Sequence, residues 1–152
     1  MGTLFERAWS EVVKPLLRRP PRVQVAALCY RRTDDGKQVL MITSRDTGRW
    51  ILPKGWPMEG YDAPGTAMQE AWEEAGVKTG RIDRRPLGRF TYVKQGEDGM
   101  NQVCEVDVFP MEVQDMTSDF PEQTERRLKW VAPKEAANMV DEPELRDILA
   151  AF

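Results

Sequence analysis

The sequence predicts an α/β/α sandwich built on a mixed β-sheet. Three observations carry that prediction. Apolar runs of strand length recur along the chain, a carboxylate-rich helix follows a glycine-rich loop, and a short amphipathic helix closes the sequence. The 152 residues fit one domain, and five Trp and five Phe supply material for a real core. Residues 1–21 read as an N-terminal helix and linker, and residues 22–152 as the domain proper.

Leu4, Phe5, Ala8, Trp9, Val12 and Val13 recur at helical spacing, and Thr3 with Glu6 forms a capping-box pattern. Pro15 limits that helix, and Arg18-Arg19-Pro20-Pro21-Arg22 reads as a stiff basic linker. Residues 23–30 form a mostly apolar strand. Thr33-Asp34-Asp35-Gly36 is a turn, and residues 38–45 return as the second strand of a hairpin. Arg49–Leu52 is a short strand ended by Pro53. The loop 53–62 holds Gly55 and Gly60, so its backbone can bend tightly and approach a ligand.

Asp62 is a good N-cap, Pro64 is tolerated in the first turn, and Gly76 is a good terminator. Between them Ala67, Met68, Ala71, Trp72 and Ala75 form the expected inward stripe. Residues 81–93 and 101–109 read as two strands joined by a turn over 94–99, and Met111–Thr124 as a polar loop. Leu128–Val131 is a late strand. Pro133 and Glu142-Pro143 open two helices, the second closing the fold with Leu145, Ile148 and Leu149.

The absence of His excludes Ser-His-Asp and Cys-His catalysis and every His-ligated metal site. Cys29 and Cys104 lie in separate apolar runs and read as buried free thiols. The net charge of −3 argues against a nucleic-acid binder. No apolar run approaches the ~20 residues of a membrane span, and the first residues lack a signal-peptide pattern. The expectation is a cytoplasmic protein with no membrane partner.

Glu70, Glu73 and Glu74 fall at i, i+3 and i+4 of one helix, on one face. Like charges so placed weaken an isolated helix, and a cation relieves them. Oxygen ligands of this kind suit Mg²⁺ or Mn²⁺, which commonly also hold substrate phosphates. The alternative is a solvated acidic face.

The run Gly55 to Val77 resembles the signature box of the Nudix hydrolases. Gly55, Glu70, Glu73, Glu74, Gly76 and Val77 fall in its register. Trp50-Ile51-Leu52-Pro53-Lys54 resembles its lead-in, and Leu128-Lys129-Trp130-Val131 the family's late strand. The resemblance implies a Nudix fold and metal-assisted hydrolysis of a diphosphate. It implies Glu70, Glu73 and Glu74 as catalytic residues and metal ligands, with the Gly55 carbonyl and Glu122 completing the metal set and Glu125 as the alternative to Glu122. Two positions depart from the box: Tyr61 stands where the family has Glu, and Gln69 where it has Arg. Those two family residues pair to tie the loop to the helix. A Tyr61 hydroxyl to Gln69 amide contact is expected to replace the pair.

Ser44-Arg45 through Gly55, and Arg126-Arg127-Leu128-Lys129-Trp130, resemble segments of the diphosphoinositol polyphosphate phosphohydrolases. The implied substrates are diphosphoinositol polyphosphates or dinucleoside polyphosphates. Arg22, Arg45, Lys54, Arg126 and Arg127 are the expected phosphate contacts, with Lys129 as a further cation. Trp50 and Trp56 are candidates for base stacking or for packing. The rival reading is a Nudix-fold binding or regulatory module silenced at Tyr61 and Gln69; hydrolysis of RNA 5′ ends is a third.

Overall fold

A computed structural model describes residues 20–96 and 98–152. The helix expected over residues 3–13 lies outside the described residues. The strands are β1 (Arg22–Thr33), β2 (Gly36–Thr43), β3 (Trp50–Ile51), β4 (Lys54–Gly55), β5 (Val77–Ile82), β6 (Gly88–Gln95), β7 (Asn101–Met116) and β8 (Leu128–Val131). The helices are α1 (Ala63–Ala75), α2 (Pro133–Met139) and α3 (Pro143–Ala151).

The sheet is mixed, as expected. β1 and β7 run parallel at its centre from Arg22 opposite Cys104 to Tyr30 opposite Glu112. On its other edge β1 pairs antiparallel with β2 beyond Tyr30 and with β4 at Val25 and Ala26. β2 carries β3 and β8. The free edge of β7 is shared by β6 along Asn101–Val108 and by β5 along Met111–Met116.

Two cores follow from the period-2 alternation of β1. Val25, Ala27 and Cys29 face α1 together with Leu40, Ile42, Phe109 and Met111. Ala26 and Leu28 face the opposite way, against Phe90, Val106 and Val108 and the α2–α3 pair, which contributes Ala136, Ala137, Leu145 and Leu149. A helix on one face and two on the other make the α/β/α sandwich. Among the described residues no helix is long and apolar enough to cross a membrane.

Helix α1 begins and ends where its caps dictate. The Asp62 side chain accepts from the Gly65 N–H at 2.8 Å, and Pro64 occupies the first turn. Gly76 adopts φ 73°, the left-handed conformation glycine takes without penalty. A side chain there would also meet the Thr117 carbonyl, so the terminator doubles as a close contact with the segment after β7.

Three expectations need correction. The stretch 81–93 is not one strand: it is interrupted between Ile82 and Gly88, where Pro86 lies, and its two halves pair with different halves of β7. The expected polar loop from Met111 is strand as far as Met116, because Met111 and Val113 pack into the α1-side core and β5 supplies the ladder. In α1 the buried stripe is Ala67, Glu70, Ala71, Glu74 and Ala75; Trp72 belongs to neither core cluster. The two carboxylates therefore lie on the sheet-facing side of the helix.

Candidate active site

Short strand β4 fixes the first part of the site. Gly55 pairs with Val25, and the Ala27 N–H bonds the Pro53 carbonyl at 2.9 Å, so the loop's start is locked onto the sheet. Helix α1 then returns along the same edge and lays Glu70 against Gly55. A Cβ at Gly55 would run into the Glu70 carboxylate. Only glycine leaves room for that approach.

Glu70 and Glu74 are 8% and 4% exposed. Small residues at Ala67, Ala71 and Ala75 let the helix sit close to the sheet, which draws the neighbouring carboxylates inward. Burial pushes the Glu74 carboxyl up to about 9, helped by a hydrogen bond shared with Glu70 and opposed by Arg126. Glu70 is raised too, again by burial first, with Glu73 and Glu122 adding to the effect. Glu73 is half-buried and accepts from Gln69 Nε2 at 3.2 Å.

A cleft of about 510 Å³ brings together Gly55, Glu70, Glu73, Glu74, Glu122, Arg45, Lys54 and Arg126, most of the residues expected from the sequence. Its cationic wall contains Lys54, which burial pushes below the usual lysine range while Glu74 works against that shift. The Lys54 ammonium sits 4.8 Å from the centre of the Tyr92 ring. Glu122 is held to the end of α1 by its own N–H, which bonds the Glu73 carbonyl at 3.0 Å. Arg45, more than half exposed, reaches Glu122 at 3.3 Å and Glu125 at 3.6 Å.

The remaining expected residues lie elsewhere. Arg22 stacks on Trp56 at 4.2 Å and lines an adjoining cleft of about 570 Å³ with Lys94. Arg127 lies 5.7 Å from the Trp50 ring and lines neither cleft. Lys129 pairs with Glu135 at 3.9 Å on the surface. Glu105, on β7, is bound by Arg89 at 2.6 Å and lies outside the cleft. Tyr61 is exposed, and the Gln69 amide bonds Glu73, so the expected Tyr61–Gln69 contact is absent. An Asp62–Arg84 ion pair links the start of α1 to the segment between β5 and β6.

The structure adds Gln24, Ser44, Asp46 and Lys94 to the cleft. Gln24 is 2% exposed and accepts a hydrogen bond from the Tyr92 hydroxyl at 2.5 Å. A polar amide in an otherwise apolar strand was its sequence signal. Ser44 and Asp46 lie in the segment 44–55 that resembles the diphosphoinositol polyphosphate phosphohydrolases, and Lys94 carried no signal.

The donors here suit a hard divalent cation. They are all oxygen, two of the carboxylates are buried beside each other, and Gly55 clears the space before Glu70. As the side chains stand, no group of three or more acidic or thiol residues among those described converges on one point. The Arg126 guanidinium lies between Glu74 and Glu122.

Comparison with known proteins agrees with this geometry. The NUDIX domain family model matches residues 22–152. Human diphosphoinositol polyphosphate phosphohydrolase 3-alpha is 31% identical over 120 residues, covering 77% of this chain and 68% of the relative. Nudix hydrolase 21 of Arabidopsis thaliana, a chloroplastic protein, is 30% identical over 126 residues, 81% of this chain and 61% of its own length. Among solved structures, a C. elegans Ap4A hydrolase complex superposes with a TM-score of 0.64 at 20% identity, covering 86% of this chain and 94% of that one. The NUDIX domain of Shewanella oneidensis NrtR, complexed with ADP ribose, superposes at 0.63 with 16% identity over 99% of this chain and 98% of that one. The chain belongs to the Nudix family and is a Nudix pyrophosphohydrolase.

Proposed function

We propose that this protein hydrolyses the diphosphate linkage of a phosphate-dense small molecule, a diphosphoinositol polyphosphate or a dinucleoside polyphosphate. The reaction depends on Mg²⁺ or Mn²⁺. The observation that carries the reading is the buried Glu70–Glu74 pair against Gly55, facing Lys54 across one cleft. Glu70, Glu73 and Glu74 would hold the ion, with the Gly55 carbonyl and Glu122 as further ligands. When bound, the ion supplies charge neutralisation at phosphorus and acidifies water.

The chain's own residues do the rest. Lys54 offers an ammonium on the shared wall of two clefts, next to the scissile region. Arg45 is exposed enough to turn from Glu122 and Glu125 to a phosphate and bind it in bidentate fashion. Arg22 and Lys94 bracket Trp56 at the far side and extend the cationic surface for phosphates beyond the scissile pair. Arg127 stands further out, as a peripheral contact. With Glu70 and Glu74 buried and close, one carboxyl in the metal-free site keeps a proton, which leaves a group able to hold or move a proton at neutral pH.

The second reading is a ligand-binding module. It draws on Tyr61 and Gln69, whose side chains do not pair here. A panel of diphosphoinositol polyphosphates, dinucleoside polyphosphates, nucleotide sugars, nucleoside triphosphates and capped RNA separates the readings. Metal-dependent turnover concentrated on the first two classes is the expected result. Tight binding of any member with no turnover favours the module.

A further inference from the structure

Arg126 is built unlike a phosphate-gripping arginine. Its side chain is 6% exposed, and each end of its fork is already used. Nη1 donates to the Thr43 carbonyl at 3.0 Å. Nη2 lies 3.1 Å from Glu74 Oε1 and 3.0 Å from Glu122 Oε1, bridging two of the residues assigned to the cation. The backbone immediately after it is pinned: the Arg127 N–H bonds Thr43 Oγ1 at 2.9 Å, and the Thr43 N–H bonds the Arg127 carbonyl at 3.1 Å. Nε is buried with no hydrogen-bond partner among the described residues. A guanidinium that leaves a buried donor unsatisfied is held for what its other end does. Arg45, by contrast, is 57% exposed and pairs loosely with the same Glu122.

We propose that Arg126 is the resident counter-ion of the carboxylate site: it positions Glu74 and Glu122 and gives up its place between them when a divalent cation binds. The inference rests on the reading that this site takes such a cation. Two positive charges cannot share the gap between the same two carboxylate oxygens at these distances without strong repulsion. Arg126 therefore keeps the acidic cluster folded in the free protein and competes with metal for it. It is a positioning residue, and phosphate contact falls to Arg45 and Lys54.

The test is Mn²⁺ binding measured by calorimetry on wild type, Arg126→Gln and Arg126→Lys. Removing the competitor should tighten Mn²⁺ binding roughly tenfold in the Gln variant, with the Lys variant between the two. Mn²⁺ should also raise the melting temperature of the Gln variant more than that of wild type. Equal or weaker binding in the Gln variant overturns the proposal while leaving the metal reading intact. No Mn²⁺ binding by any of the three overturns both. Should the variants not fold, the wild type decides: in arginine side-chain NMR, the Nε–H signal of Arg126 must shift on Mg²⁺ addition, and an unmoved signal in protein that binds Mg²⁺ contradicts the proposal.

Discussion

Glu70 and Glu74 stand one helical turn apart on the same face of α1, and both side chains are buried against the sheet. Two carboxyls in that relationship cannot both ionise cheaply. The pair is stable with a shared proton or with a cation.

The pH dependence of stability follows from the sign of that shift. The folded protein holds the Glu74 proton up to about 9, whereas the unfolded chain releases it near its ordinary 4.5. Between those values the unfolded state binds fewer protons, so stability falls as pH rises. Metal-free protein should lose about 3 °C or more of melting temperature between pH 6 and pH 9. Glu74→Gln should flatten most of that slope, and saturating Mg²⁺ should flatten it in wild type. Thermal melts over this range check both.

Gly55→Ala should leave the backbone unstrained, because Gly55 is not among the glycines with positive φ. Its Cβ nevertheless displaces the Glu70 carboxylate. Turnover should fall about a hundredfold, as for a misplaced catalytic group, with little change in melting temperature. Steady-state kinetics beside a thermal melt measures the contrast.

The close approach of α1 to the sheet rests on Ala67, Ala71 and Ala75, all fully buried. Ala71→Leu overfills that interface and should destabilise the protein by about 1–3 kcal/mol in urea titration. It should also reduce activity, since Glu70 and Glu74 ride on the same face.

Cys29 should be chemically silent. Burial pushes its thiol up to about 12, and burial also raises Cys104. Neither should react with an alkylating reagent at pH 8 in the native state, and both should react promptly in denaturant. Mass spectrometry of the labelled protein gives the answer.

Elements with strong local chemistry were legible in the sequence. The Asp62 and Gly76 caps fixed α1, Pro133 and Pro143 marked the starts of α2 and α3, and Leu128–Val131 is β8. The acidic trio could be placed on one helix face from spacing alone. What was not legible depends on partners distant in sequence. Glu112 and Asp115 read as loop, yet β5 makes them strand. Trp72 looked like core by hydrophobicity, yet the small alanines set which face turns inward. Arg126 looked like any basic residue before a strand. Its burial comes from Thr43, Glu74 and Glu122, 83, 52 and 4 positions away, and no local pattern encodes that.

The most direct test of the account is phosphate release from its preferred polyphosphate substrate by wild type and Glu74→Gln, each with Mg²⁺ and with excess chelator. Wild type should turn over only with the ion, and the folded variant should lose about a hundredfold or more. Turnover that survives the chelator, or a variant as active as wild type, would contradict the assignment of the buried glutamates to the chemistry.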